Sequence, residues 1–225
     1  GDDDHRSGRL TITRWVAFDR HTTDAVPYQP GRGIAVRQDG QPIHFEAGPH
    51  GANWLIAGIK GSGKSSWVNA IVAEARRQRA VLAGIDLKRV ELAPWADTFD
   101  QLALDASAAT QLLRDVRAEI TRRVEAMQAA GIRKWHPGCG FPPLVVVVDE
   151  LRQLVQDWPG DEKDECRERA ALLASIAALG RAAAVQVVAA TQNPRAAFMA
   201  EIRENCDVTV CCRVRTETES FTALG

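Results

Sequence analysis

The sequence lacks the features of a membrane-spanning or strongly charged protein. Its 225 residues contain no apolar run approaching a membrane span, and no signal peptide is visible. If the native protein is tethered to a membrane, we expect the tether to lie outside this sequence. The chain also has no excess charge, because 28 Lys and Arg against 29 Asp and Glu give a formal net charge of −1. Any DNA contact must therefore come from a local patch, or from a ring of subunits that repeats one patch.

Paired cysteine motifs are missing as well. The five cysteines include no C-x-x-C pair, and their odd number favours reduced thiols in a cytoplasmic core. His136 and Cys139 lie three residues apart, but no second pair of ligands accompanies them, so no zinc site is predicted. The length suits one α/β domain with a small appendage.

The chain is organised around residues 58–65, which read G-x-x-x-x-G-K-S, the signature of a phosphate-binding loop. An apolar run at 54–57 precedes it, and a helical pattern from Val68 to Ala75 follows it, which is the strand-loop-helix context that the motif needs. Glycines let backbone N–H groups face a polyphosphate, and the helix N-terminus adds positive potential. The alternative is a flexible Gly/Ser loop with a solvated lysine. The residues predicted to bind phosphate are Gly58, Ile59, Lys60, Gly61, Ser62, Gly63, Lys64, Ser65 and Ser66.

Within this loop two side chains have distinct predicted roles. Lys64 is expected to reach the β- and γ-phosphates of ATP and to take part in catalysis, and the Ser65 hydroxyl is placed to bind Mg²⁺.

Alternating strand and helix patterns predict a parallel sheet covered on both faces. The predicted strands are at residues 54–57, 81–86, 102–104, 144–148, 185–190 and 208–212, with helices at 107–130 and 161–179. We expect residues 1–50 to form a strand-rich lead-in with a hairpin turn at Asp39-Gly40, and residues 51–225 to form the nucleotide-binding domain.

Two polar pairs follow predicted strands. Asp149 and Glu150 end a β-branched run, where ligands of parallel sheets bind. Asp149 is predicted to hold Mg²⁺ and Glu150 to activate the attacking water, although a cap for the next helix would look the same. Thr191 and Gln192 end another strand. Gln192 is a candidate catalytic residue that contacts the γ-phosphate or the water, and the equally weighted alternative is a strand that ends in turn residues.

These segments together resemble the motor domain of the FtsK/SpoIIIE family of double-stranded DNA translocases. The matching stretches are GIKGSGKS (58–65), IDLKRVEL (85–92), AAGIRK (129–134), LVVVVDEL (144–151), LGRAAAVQVVAATQNP (179–194) and IRENCDVTV (202–210). The family usually has Pro where Leu87 stands and Arg where Asn193 stands. The chain also ends before the family's closing motor segment, so we expect a fragment of a longer motor.

The resemblance implies a P-loop NTPase fold of the RecA-like (ASCE) kind and a hexameric ring that pumps duplex DNA, with ATP and Mg²⁺ as cofactors. It places Arg181 as an arginine finger for a neighbouring subunit's ATP, although a surface arginine at a helix end is the alternative. It also places DNA contacts at Arg133, Lys134, Arg195 and Arg203, with ordinary solvated charges as the alternative for each. A cytoplasmic location at the inner face of the membrane is expected for the full-length protein. Trp135 is expected to anchor its loop.

Three functions are consistent with these patterns. The first is ATP-driven translocation of double-stranded DNA, in chromosome segregation or conjugative plasmid transfer. The second is a coupling or secretion ATPase that moves protein. The third is a nucleotide-gated assembly module without turnover, against which the intact Asp149-Glu150 pair argues.

Overall fold

The computed structural model of the protein describes residues 10–12, 29–36, 41–48, 50–155, 163–193 and 199–216. The strands are β1 (Leu10–Ile12), β2 (Ala35–Val36), β3 (Pro42–Ile43), β4 (Trp54–Ala57), β5 (Val81–Ile85), β6 (Gln101–Ala103), β7 (Leu144–Val148), β8 (Val185–Thr191) and β9 (Val208–Cys211). The α-helices are α1 (Lys64–Arg77), α2 (Ala106–Ala129), α3 (Leu151–Val155), α4 (Lys163–Leu179) and α5 (Met199–Glu204). Short 3₁₀ helices lie at Ala93–Thr98, Pro137–Cys139 and Gly180–Ala183.

In the described part of the chain, a central sheet has seven strands in the order β1-β9-β4-β8-β7-β5-β6. All its neighbouring strands run parallel. The carboxyl ends of the strands therefore meet at one edge, which we call the carboxyl edge, and their starts meet at the opposite, amino edge. β8 lies between β4 and β7, so the ends of these three strands are adjacent.

Helices cover both faces of the sheet. β7 (LVVVV) is buried along its whole length, as expected for a central strand with an apolar layer on each side. On one face α1 contributes Val68, Ile71 and Val72 to a buried cluster that also contains Val145 and Val147. On the other face, α2, α3 and α4 pack against the alternate residues of the same strands. The predicted fold class is confirmed.

The described residues before position 50 pack against the nucleotide-binding part of the chain. β2 and β3 pair antiparallel, while the predicted turn at Asp39-Gly40 lies outside the described residues. Gln186 of β8 is buried and holds this region, because its side-chain amide donates to the carbonyls of Glu46 (2.9 Å) and Ala52 (3.0 Å). β1 joins the main sheet beside β9. The domain boundary at residue 50 stays a prediction.

The helices follow local signals. Asp105 caps α2, since its carboxylate accepts a hydrogen bond from the Ala108 amide (2.8 Å). Gly131 follows the end of α2 with φ of 68°, in agreement with its predicted role as the helix stop. The short helices α3 and α5 were not predicted. None of the helices in the described part of the chain combines the length and apolar composition that a membrane span requires.

Candidate nucleotide-binding site

The loop between β4 and α1 is fixed at its base by two neighbouring strands. The amide of Gly58 donates to the Thr191 carbonyl (3.1 Å), and the amide of Ile59 donates to the Arg213 carbonyl (2.9 Å). The loop then turns on itself, with the Ser62 amide donating to the Ile59 carbonyl (3.2 Å). Gly58 has no room for a side chain, because a Cβ there would lie 2.6 Å from Ser62 Oγ. The base of the loop is therefore a close-packed junction that requires glycine.

The tip of the loop is open. Gly61 and Gly63 have φ of 71° and 97°, in the left-handed region that favours glycine. A Cβ built at either position would meet no atom within 4 Å. The Ser62 hydroxyl oxygen is buried and, among the described residues, has no hydrogen-bond partner. Ile59 and Ser62 are half-buried, while Lys60 is exposed. A glycine loop that is open at its tip, beside a buried hydroxyl without a hydrogen-bond partner, fits a bound polyphosphate.

Lys64 is the first residue of α1, and Ser65 and Ser66 follow it in the first turn. The Lys64 ammonium donates to the Ile59 carbonyl (3.2 Å) across the loop. Burial lowers the pKa of Lys64, while the charges of Glu150, Cys212 and Asp149 act to raise it. Their influence means that the two predicted acids lie near the predicted phosphate-binding lysine. Ser65 is half-buried and Ser66 is exposed.

Asp149 follows β7 directly at the carboxyl edge, where its amide donates to the Ile85 carbonyl (3.1 Å). Burial raises its pKa to about 7, and the nearby carboxylates of Asp86, Glu91 and Glu150 add to this rise. A divalent cation would offset this crowding of negative charge. Asp149 and the Ser65 hydroxyl are oxygen donors of the kind that hold Mg²⁺ together with waters and nucleotide phosphates.

The described residues include no group of three or more His, Cys, Asp or Glu side chains that could hold a metal ion by themselves. Besides Asp149 and the Ser65 hydroxyl, a magnesium ion here would therefore depend on oxygen atoms from the nucleotide and from water.

Glu150 is held by the end of the neighbouring strand β8. Its carboxylate accepts hydrogen bonds from the Thr191 hydroxyl (3.1 Å) and from the backbone amide of Gln192 (3.2 and 3.1 Å to the two oxygens). Glu150 and Thr191 are buried, whereas the Gln192 side chain is exposed. The Thr-Gln pair thus fixes the carboxylate through the Thr191 hydroxyl and the Gln192 backbone. The contact made by Thr191 was not predicted, although its position at a strand end was the available signal.

Asp86 is a buried residue of this edge that sequence reasoning passed over. It follows β5, and one carboxylate oxygen accepts hydrogen bonds from three successive amides, those of Glu91 (3.0 Å), Leu92 (2.8 Å) and Ala93 (3.1 Å). These bonds shape the loop that carries Glu91, whose charge acts on both Lys64 and Asp149. The available signal was an acidic residue directly after a buried strand, the same signal that selected Asp149.

Arg181 lies at the opposite edge of the sheet. It belongs to the 3₁₀ helix Gly180–Ala183 that precedes β8, and its guanidinium donates to Asp207 (2.8 Å) just before β9. The other oxygen of Asp207 accepts from the Asn53 amide (3.1 Å). The structure therefore does not bring Arg181 together with the Lys64 site of its own chain, and its role toward a neighbouring subunit stays a prediction.

The predicted DNA-contact residues that the structure describes also lie toward the amino edge. Arg133 and Lys134 are exposed on the loop between α2 and β7. Trp135 anchors this loop as predicted, since it is buried and donates to the Phe141 carbonyl (3.0 Å). Arg203 is half-buried in α5, before β9. Arg195 lies outside the described residues.

A strand-loop-helix with this lysine, together with two acids that directly follow another parallel strand of the same sheet, is the arrangement of a P-loop nucleotide-binding protein. The profile of the FtsK/SpoIIIE family matches residues 28–140. The chain belongs to the FtsK/SpoIIIE family, which confirms the resemblance drawn from its motifs.

Two curated relatives illustrate the similarity. The chain is 30% identical over 233 residues to DNA translocase SftA of Bacillus subtilis (strain 168), with 96% of this chain and 23% of that protein covered. It is 32% identical over 187 residues to DNA translocase FtsK of Helicobacter pylori, with 76% of this chain and 21% of that protein covered. The chain thus spans less than a quarter of the length of these relatives.

Solved structures share the fold. The conjugation coupling protein TcpA of pCW3, determined in a monomer form with ATPγS, superposes with a TM-score of 0.70 at 23% identity, covering 77% of this chain and 52% of that chain. The cytoplasmic domain of EssC superposes with a TM-score of 0.69 at 14% identity, covering 88% of this chain and 40% of that chain. At these identities the likeness concerns the fold.

Proposed function

We propose that this chain is the nucleotide-binding part of an ATP-driven double-stranded DNA translocase that works as a ring of identical subunits, hexameric when active. Its process is chromosome segregation or conjugative plasmid transfer, and the motor acts on the cytoplasmic side of the membrane. The support comes from membership of the FtsK/SpoIIIE family and from the DNA translocases among its relatives.

The observation that carries the ATPase part is the meeting of three functional groups at the carboxyl edge. Lys64 lies within the electrostatic reach of Asp149 and Glu150, while the glycine loop before it is open at its tip. We assign phosphate binding to residues 58–66, with Lys64 neutralising the charge of the β- and γ-phosphates. Asp149 and Ser65 would hold Mg²⁺, which supplies charge neutralisation between the phosphates when it is bound.

Glu150 is the proposed general base for the attacking water. It is buried and accepts hydrogen bonds from the Thr191 hydroxyl and from the backbone amides of Gln192 and Arg152, the last at 3.4 Å, which fixes its position for proton transfer. Gln192 lies next to Glu150, and its side chain is exposed. The side-chain amide of Gln192 can therefore turn toward the γ-phosphate.

The remaining roles involve other molecules. Arg181 is proposed to stabilise the transition state in a neighbouring subunit, because it lies away from the site of its own chain. Its bond to Asp207 must then break or rearrange when the ring assembles. Arg133, Lys134, Arg195 and Arg203 are the proposed contacts to DNA phosphates, and six subunits would repeat them around the duplex.

The test is an ATPase assay on the full-length protein with duplex DNA, with single-stranded DNA and without DNA. We expect duplex DNA to stimulate turnover more than single strands, and Lys64→Ala to abolish it. Lys163→Ala, which changes an exposed lysine of α4, is the matched control and should behave as the wild type. Turnover that survives Lys64→Ala would refute this site, and turnover that responds to a protein substrate but not to duplex DNA would refute translocation.

A further inference from the structure

Only one of the two carboxylate oxygens of Asp86 accepts hydrogen bonds from the described part of the protein. The residue is 1% exposed. Its Oδ2 atom accepts hydrogen bonds from the three backbone amides of residues 91–93. Its Oδ1 atom is buried and has no hydrogen-bond partner among the described residues. Buried carboxylate oxygens are normally paired, hydrogen-bonded or bound to a metal or water, because leaving one unsatisfied is costly. The free oxygen therefore indicates a missing partner.

The sheet register places Asp86 beside Asp149. β5 and β7 are parallel neighbours, and their last residues, Ile85 and Val148, lie opposite each other. The residues that follow them, Asp86 and Asp149, are therefore neighbours as well. Adjacent strands lie about 4.8 Å apart. Of the charged groups that act on Asp149, Asp86 is the strongest. Two acids thus stand side by side at the edge where the phosphate loop opens.

A role as a loop anchor alone does not explain this arrangement. The anchoring uses only Oδ2, so it leaves the buried Oδ1 without an explanation.

Resting on the function proposed above, we propose that Asp86 is a positioning residue for the metal of the nucleotide site. Its Oδ1 accepts a hydrogen bond from a water molecule in the coordination shell of the Mg²⁺ that Asp149 holds. Through Oδ2 the same carboxylate fixes the loop that presents Glu91 to the site. Asp86 thereby couples the shape of the 86–93 loop to the presence of the metal. Groups of this kind, which hold a metal's ligands, typically change metal affinity about 10–100-fold when they are replaced.

The experiment compares Asp86→Asn with the wild type by Mn²⁺ electron paramagnetic resonance in the presence of ATPγS. The asparagine keeps an acceptor for the three amides but removes the charge. We expect the Mn²⁺ affinity of the nucleotide complex to fall about 10-fold or more, with the affinity for ATPγS in EDTA unchanged. Asp97→Asn, an exposed acid on the adjoining 3₁₀ helix, should match the wild type.

A second measurement needs no variant and covers the case in which Asp86→Asn fails to fold. Bound Mn²⁺–ATPγS should broaden the NMR amide signals of Glu91 and Leu92 in the wild-type chain, because those amides bind the carboxylate next to the metal. Unbroadened signals would overturn the proposal.

Different results would refute the role of Asp86 and the proposed nucleotide-binding function. Wild-type Mn²⁺ affinity in a folded Asp86→Asn variant would remove the role of Asp86 and leave the proposed function intact. A wild-type chain that binds ATPγS neither with nor without Mn²⁺ would overturn both. Loss of thermal stability without loss of metal affinity would leave Asp86 as a loop anchor and would also refute the proposal.

Discussion

Replacing Asp149 with asparagine should stabilise the metal-free chain at neutral pH. Burial and three neighbouring carboxylates raise the pKa of Asp149 to about 7, from an ordinary value of 3.8. Between these two pH values the folded chain keeps a proton on Asp149 that the unfolded chain has released. The free energy of unfolding of the wild type should therefore fall as the pH rises through this range, and it should level off above pH about 7.

The size of the effect follows from the pKa difference. At about 1.4 kcal/mol for each pK unit, the full difference corresponds to about 4 kcal/mol. Asp149 is only half-buried, and solvent screening reduces this figure, so we expect a gain of about 2–4 kcal/mol for Asp149→Asn above neutral pH. Near pH 4 the wild-type side chain is itself protonated, and the two proteins should have nearly equal stability.

The assay is urea unfolding of both chains in EDTA at several pH values between 4 and 8. Asp97→Asn, at an exposed position, controls for the general loss of one negative charge. A stability difference between Asp149→Asn and the wild type that does not grow with pH would contradict the electrostatic argument. Adding Mg²⁺ with ATPγS should stabilise the wild type and have much less effect on the variant, because the variant lacks the carboxylate that holds the cation.

Two further substitutions test the packing of the site. Thr191→Val removes the hydroxyl that donates to Glu150, so it should lower the free energy of unfolding by about 1–3 kcal/mol. The variant should also lose more ATP turnover than nucleotide affinity. Equal losses in turnover and affinity would argue against a positioning role for Thr191. Gly58→Ala should weaken nucleotide binding strongly, because its new Cβ would lie 2.6 Å from Ser62 Oγ. Gly61→Ala, where a Cβ meets nothing within 4 Å, should cost only the roughly 1–2 kcal/mol of a left-handed backbone, and comparable binding defects in the two glycine variants would contradict this distinction.

The sequence predicts the central part of the fold well, because its signals are local. The apolar run at Leu144–Val148 is long enough only for a buried strand, and the glycine loop is followed at once by the helix it requires. The short helix α3 was missed, since Asp149 and Glu150 look the same before a loop or a helix start.

The candidate site was predicted only where each residue carries its own signal. Lys64, Asp149 and Glu150 stand out in the sequence because they end recognisable patterns. The contacts of Glu150 with Thr191 and Gln192 depend on β8 lying beside β7, an adjacency that no local pattern specifies. Asp86 carries the same local signal as Asp149, an acid directly after a buried strand, but only the register of β5 against β7 shows that the two acids lie side by side.

The strand β8 has a mechanical consequence for any motor built from this chain. Its seven residues are all buried, and they join the segment carrying Arg181 to the Thr191 end that grips Glu150. At about 3.3 Å for each residue, this rod is roughly 23 Å long. β8 pairs with β7 over residues 185–189 and with β4 over residues 188–191, so a displacement of its amino end should move both of these strands together with the Thr191 end.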